Sequence, residues 1–178
     1  MRKYHTFLIC GENNVGKTTA SLILKEMTNY PVFNFADSLK EFMTKYWEED
    51  SDWLADRNNK ENVRHLMVKT ANHFKSVFGK DFFAREVYRR MGEANRCIIG
   101  DLRFEEELDF IRENFLTYDI IYITKDIHQS PTKLFPFLES SEDNYEYINI
   151  VENNGTLEEL REKLSKLFDI NKYKCTPL

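Results

Sequence analysis

The sequence predicts an α/β fold: a central parallel sheet of about five strands with helices on both faces. Three observations carry this expectation. Short apolar runs, such as Phe7 to Cys10 and Cys97 to Gly100, alternate with stretches of helical periodicity. A glycine-bounded loop joins the first apolar run to the first periodic stretch. No internal repeat or linker interrupts the 178 residues, so a single domain over 1–178 is expected.

Tyr4 to Cys10 reads as a short buried strand, and Gly11 to Gly16 as a loop. Lys17 to Thr28 carries Ala20, Ile23, Leu24 and Met27 at helical spacing, and Pro31 requires that helix to have ended. Val32 to Ala36 reads as a second strand. Asp37 or Ser38 can cap the next helix, with Glu41 completing a capping box from Ser38; Phe42, Met43 and Tyr46 continue its apolar stripe. A longer helix starts near Glu61, with Val63, Leu66, Met67, Thr70, Phe74 and Val77 on one face. Another covers about Asp81 to Met91.

Cys97 to Gly100 is a compact buried strand ending in Asp101. Glu105 to Asn114 reads as helix, and Tyr118 to Thr124 as a strand of alternating Ile and Tyr. Residues 125–144 hold two prolines, scattered charge and no sustained period, so they read as a loop excursion. Tyr147 to Val151 is the last strand. Thr156 and Glu159 form a second capping box, ahead of a helix with Leu157, Leu160, Leu164, Leu167 and Phe168 on its apolar face. Parallel strands joined by right-handed crossovers bind ligands at their carboxyl ends, where the loops after Cys10, Ala36, Gly100 and Thr124 gather.

Composition excludes several classes. A formal net charge of −5 disfavours a nucleic-acid polymer as partner, because backbone binding needs a basic face. No stretch approaches the ~18 apolar residues of a membrane span. Cys10, Cys97 and Cys175 stand far apart, so neither a disulfide framework nor a zinc site is indicated, and a reducing, cytoplasmic setting is expected. His5, His65, His73 and His128 show no metal spacing.

Gly11-Glu12-Asn13-Asn14-Val15-Gly16-Lys17-Thr18 fits the phosphate-loop pattern G-x-x-x-x-G-K-[ST] at every fixed position. Glycine permits the turns that point successive N–H groups inward, and those amides with the following helix N-terminus stabilise phosphate. The expected nucleotide site comprises Gly11, Asn13, Asn14, Val15, Gly16, Lys17, Thr18 and Thr19. Lys17 would reach the β- and γ-phosphates of ATP, and Thr18 would ligate Mg2+. Asp101, at the end of an apolar strand, resembles the acid that supports magnesium through water or by orienting Thr18. The expected architecture is therefore the three-layer P-loop kinase fold.

No N-K-x-D element and no D-x-x-G after Asp101 mark a GTPase, and no L-S-G-G-Q-like signature marks a transporter ATPase. The remaining segments resemble the phage-type deoxynucleoside monophosphate kinases. Phe35 to Glu41 looks like their segment after the second strand. Asp101-Leu102-Arg103 with Glu107 resembles their D-x-R-x-x-x-E element. Val63 to Met67 is similar to an Arg-bearing helical segment there, and Ile150 to Leu160 to their last strand, Asn-rich turn and helix. Glu139-Ser140 fits a short element before that strand. Val68 and Ala71 replace the family's usual Gln and Gly. Animal-type phosphomevalonate kinases share much of this pattern.

The resemblance implies phosphorylation of a deoxynucleoside monophosphate by ATP with magnesium, in the cytoplasm, or a host's cytoplasm for a viral chain. The alternatives are another phosphorylated metabolite as acceptor, phosphomevalonate among them, or a non-catalytic ATP-binding switch. The implied acceptor site is Asp37, Lys40, Arg64, Arg85, Arg103 and Glu107. Lys17, Arg103 and Asp101 would carry catalysis, and Asn154 would lie on the adenine side. Lys125 and Lys133 flank the excursion at 125–144, which would close over the phosphates as a lid, since a kinase must exclude water. Whether the chain forms a homodimer is left open.

Overall fold

The computed structural model describes residues 5–46, 60–125, 138 and 148–172. Its elements run β1 (His5–Cys10), α1 (Lys17–Thr28), β2 (Val32–Phe33), α2 (Asp37–Tyr46), α3 (Lys60–Phe78), α4 (Phe82–Met91), β3 (Arg96–Ile99), α5 (Glu105–Asn114), β4 (Tyr118–Thr124), β5 (Ile148–Glu152) and α6 (Leu157–Lys172). The strands form one sheet in the order β2-β3-β1-β4-β5, and every pairing is parallel.

Alternation along the strands creates the layers, because successive side chains point to opposite sheet faces. Leu8 and Cys10 of β1, Cys97 and Ile99 of β3, and Ile120 and Tyr122 of β4 join one core with Leu39, Met43, Val87, Leu108 and Ile111 from α2, α4 and α5. Phe7, Ile9, Ile98, Ile121 and Ile123 join the other, with Ile23 and Leu24 of α1 and Leu160 and Leu164 of α6. The two sets interleave residue by residue, so the central strands are buried on both sides. Among the described residues no helix is long and apolar enough to cross a membrane.

Local chemistry sets the element ends. Asn29 takes the left-handed conformation (φ 58°) and closes α1 by donating its N–H to the Lys25 carbonyl, with Pro31 beyond it. The Thr156–Glu159 capping box forms as expected: Thr156 N–H donates to Glu159 Oε2 (3.0 Å), and Glu159 N–H to Thr156 Oγ1 (3.2 Å).

Two expectations need correction. β2 stops at Phe33, because the Asn34, Phe35 and Ala36 amides turn to carboxylates instead of a neighbouring strand. The Ser38–Glu41 box is absent: Ser38 Oγ is buried without a partner, and Glu41 pairs with Arg90 at 2.6 Å, tying α2 to α4.

Candidate active site

The loop between β1 and α1 is built on three positive-φ residues: Gly11 (135°), Asn14 (64°) and Gly16 (100°). A side chain at Gly11 would place Cβ 2.2 Å from the Ile123 carbonyl oxygen of β4, so close backbone approach as well as conformation requires glycine there. Val15 is buried in the α1-side core and anchors the loop. From the far side, Asn153 donates its side-chain N–H to the Val15 carbonyl (2.8 Å). The α1 N-terminus has no side-chain cap and no acidic residue in its first turn. Its first amides and positive dipole end are therefore available to an anion.

Lys17 Nζ donates to the Gly11 and Glu12 carbonyls, at 2.9 and 2.5 Å. Burial, then the Arg103 charge and more weakly that of Arg64, hold its ammonium below the usual lysine pKa, against the opposing pull of Cys10 and Asp101. A cation in that environment gains strongly when a polyanion arrives. Thr18 and Thr19 are exposed at the start of α1.

Three carboxylates organise the rim by accepting backbone N–H groups. Asp101 accepts from Phe35 (2.7 Å) and Ala36 (3.2 Å), one amide per oxygen. Asp37 accepts from the Asn34 amide N–H (3.0 Å) and from the Asn34 side chain. Glu107 accepts from Arg103 (2.9 Å) and Phe104 (3.1 Å), both through Oε2, and so caps α5 from its first turn. Burial raises the Asp101 pKa, against the lowering by its two amides. Burial also pushes Glu107 up to about 8, so it carries a proton at neutral pH. Each Asp101 oxygen keeps one lone pair, enough for a water but not for replacing its amide partners.

These loops border one cavity of about 1080 Å³. Gly11, Asn13, Lys17 and Thr18 line one end; Phe35, Lys40, Asp101, Arg103 and Glu107 line another side. One face of α3 forms the opposite wall through Arg64, Met67, Val68, Ala71, Asn72 and Lys75. The spacing of these six residues follows the helical repeat. Among the described residues, five cations line the cavity against the acids Glu12, Asp101 and Glu107, and two of those acids are engaged by backbone amides.

With the Asn13 amide assigned so that its oxygen rather than its NH2 meets the guanidinium, Asn13 accepts from both terminal nitrogens of Arg64 (3.1 and 2.6 Å). Arg64 of α3 therefore bridges the opposite wall to the phosphate loop. At the other end of that wall Lys75 pairs with Glu106 (2.9 Å) and lies 3.7 Å from the centre of the Phe104 ring.

The structure thus gathers Lys17, Thr18, Lys40, Arg64, Asp101, Arg103 and Glu107 around one space. It does not bring Arg85 there. Arg85 pairs with Asp81 one helical turn away and donates to the Phe78 carbonyl. Asn154 donates to Glu152 Oε1 and stabilises its own turn; the adjacent Asn153 is the residue that touches the phosphate loop. Lys125 is exposed at the end of β4 and is not among the residues lining the cavity. Lys133 and nearly all of the 125–144 excursion, with Glu139 and Ser140, lie outside the described residues. The lining also includes Asn34, Asn72, Lys75 and Phe104, to which the sequence assigns no role. Asn72 and Lys75 carried a signal, since they continue the helical face that starts at Arg64.

Among the described residues no group of three His, Cys, Asp or Glu side chains could hold a metal. One hydroxyl (Thr18) and one carboxylate (Asp101) fit a hard cation that brings phosphate and water oxygens with it.

No family model matches the sequence, and no curated protein matches it. Solved structures do. A gluconokinase from Sinorhizobium meliloti 1021 superposes with a TM-score of 0.53 at 12% identity, covering 99% of this chain and 100% of that one. Thymidylate kinase from Candida albicans gives 0.51 at 17% identity, covering 97% and 94%. The chain has the P-loop kinase fold. At these identities the likeness extends to the fold alone.

Proposed function

We propose that this chain transfers the γ-phosphoryl group of ATP to a deoxynucleoside monophosphate, giving ADP and a deoxynucleoside diphosphate. The observation that carries this reading is the continuity of the cavity. The phosphate loop opens into a space whose far walls present Lys40, Arg64 and Arg103, more cationic side chains than one triphosphate requires. A second phosphate-bearing ligand facing the first accounts for them.

In this reading the loop amides and α1 N-terminus cradle the β- and γ-phosphates, and Lys17 exchanges the Gly11 and Glu12 carbonyls for phosphate oxygens. Thr18 and Asp101 would hold magnesium, the first through its hydroxyl and the second through water; the ion supplies charge neutralisation at those phosphates. Arg103 and Arg64 bind the acceptor phosphate and hold it in line with the donor. Asp101 and Asp37 shape the turn that leads into α2, the helix that carries Lys40. Phosphoryl transfer then needs positioning and compensation of charge, and no side chain has to form a covalent bond.

The test is ADP production with magnesium across deoxynucleoside monophosphates, ribonucleoside monophosphates and phosphomevalonate. The reading expects turnover with at least one deoxynucleoside monophosphate. Turnover confined to phosphomevalonate would replace the acceptor, and ATP binding without any turnover would make the chain a switch module.

A further inference from the structure

Resting on the polyphosphate binding in that reading, we infer that Asn153 is a positioning residue for the donor's phosphates. It holds the Val15 carbonyl outward and so keeps the Gly16 N–H aimed into the phosphate loop. The two groups belong to one peptide unit. Among the described residues no peptide bond is cis, and in a planar trans unit the C=O and N–H point in opposite directions. The Asn153 side chain donates to the Val15 carbonyl at 2.8 Å. Asn153 is not among the residues that line the cavity, whereas Gly11, Asn13, Lys17 and Thr18 of the loop are. The carbonyl therefore faces the turn between β5 and α6, and the Gly16 N–H faces the concave side of the loop. Among the described residues that N–H has no hydrogen-bond partner, which leaves it to an anion.

The anchor is itself fixed by the sheet. The Asn153 N–H donates to the Thr124 carbonyl (2.6 Å) where β4 ends. Glu152, just before it, pairs with Thr124 in the β4–β5 register, and Lys163 of α6 donates to the Glu152 carbonyl (2.7 Å). The contact with the loop is close enough to constrain the sequence. A Cβ at Gly16 would stand 2.3 Å from the Asn153 side-chain nitrogen, and Gly16 has a φ of 100°. Val15 is buried, so a carbonyl released by Asn153 is left unsatisfied unless its peptide turns to find water. That turn carries the Gly16 N–H out of the cradle. Asn154 donates to Glu152 instead and has no such lever on the loop. One amide of the phosphate cradle is thus aimed by a side chain 138 residues from the carbonyl it holds.

The test is calorimetry in the presence of magnesium with ATP and with tripolyphosphate, which has the phosphates without the nucleoside. It compares wild type, Asn153→Ala and Lys163→Met. A hydrogen bond to a charged group corresponds to an affinity change of about 10- to 150-fold. Asn153→Ala should weaken both ligands by a common factor in that range. Lys163→Met removes a different contact of the same turn and should stay within two-fold of wild type. Asn153→Asp keeps the side chain's shape without its N–H, and it carries the test if Asn153→Ala does not fold. It should also weaken both ligands, and the loss should persist at about 1 M salt, where charge repulsion is screened beyond about 3 Å; a loss that disappears there overturns the positioning role. A tripolyphosphate affinity within two-fold of wild type in folded Asn153→Ala overturns it as well, and leaves the kinase reading standing. An equal loss in Lys163→Met overturns it too, since any loosening of the turn would then suffice. Wild type that binds both ligands and transfers no phosphoryl group removes the proposed function alone, and wild type that binds neither removes both.

Discussion

Replacing Asp101 with asparagine separates two roles that its position allows, holding a metal-bound water and holding the acceptor-side turn. In the wild type its two oxygens accept from the Phe35 and Ala36 amides. Asparagine keeps one oxygen and turns an NH2 group toward the other amide. A buried N–H left facing a donor costs about 1–3 kcal/mol. Burial already opposes the Asp101 charge, so losing that charge offsets part of the cost and leaves about 1–2 kcal/mol. In a domain of this length each kcal/mol moves Tm by about 2–4 °C, so Tm should fall by about 2–8 °C. Where the same energy opens residues 34–37 locally, the acceptor KM rises by about 5- to 30-fold. Steady-state kinetics at varied acceptor, ATP and magnesium distinguishes the roles. Because Asp101 holds the Phe35 and Ala36 amides and, in the proposed reading, a magnesium-bound water, the account predicts a raised acceptor KM together with a raised magnesium requirement. A raised magnesium requirement with an unchanged acceptor KM would refute the role in the turn, and a raised acceptor KM with an unchanged magnesium requirement would refute the role at the metal.

Lys17→Met should abolish transfer while leaving the circular dichroism spectrum intact; near-normal turnover would remove Lys17 from the mechanism. Arg64→Ala should raise the acceptor KM roughly ten-fold, the scale of a charge-assisted hydrogen-bond pair; an unchanged value would leave Arg64 as a brace for Asn13 alone. Glu107→Gln should alter the pH dependence of stability. The Glu107 carboxyl titrates near 8 in the folded chain and in the ordinary carboxyl range when unfolded, so between those values the folded state holds the extra proton. Its contribution is present at about pH 4 and is lost as pH rises toward about 8. Chemical denaturation from about pH 5 to about 8 should therefore show wild type losing stability relative to Glu107→Gln, and parallel profiles would contradict the buried neutral acid.

The parts legible in the sequence are those whose physics is local. The phosphate loop was readable because glycine, lysine and threonine at fixed offsets serve one backbone geometry, and the Thr156–Glu159 box because both partners lie within one turn. The strands were readable because burial on both faces leaves near-continuous apolar runs. The early end of β2 was not readable, since the acceptor for Phe35 and Ala36 lies more than sixty residues away, at Asp101. Glu41 shows the same limit: its spacing from Ser38 fits a capping box, but its partner is Arg90 from another helix. Arg85 went the other way, for Asp81 four residues before it marks a surface pair that the sequence displays openly. The place of Phe104 on the cavity was not readable because a ring facing a cavity and a ring in a core look alike until α3 is placed opposite it.

The central claim is that the cavity passes a phosphoryl group between two bound ligands, and labelled transfer tests it most directly. Incubated with γ-labelled ATP, magnesium and a mixture of the four deoxynucleoside monophosphates, the protein should move label into a deoxynucleoside diphosphate with little released as inorganic phosphate. Label that appears only as inorganic phosphate, or that stays in ATP with every acceptor, would contradict the account.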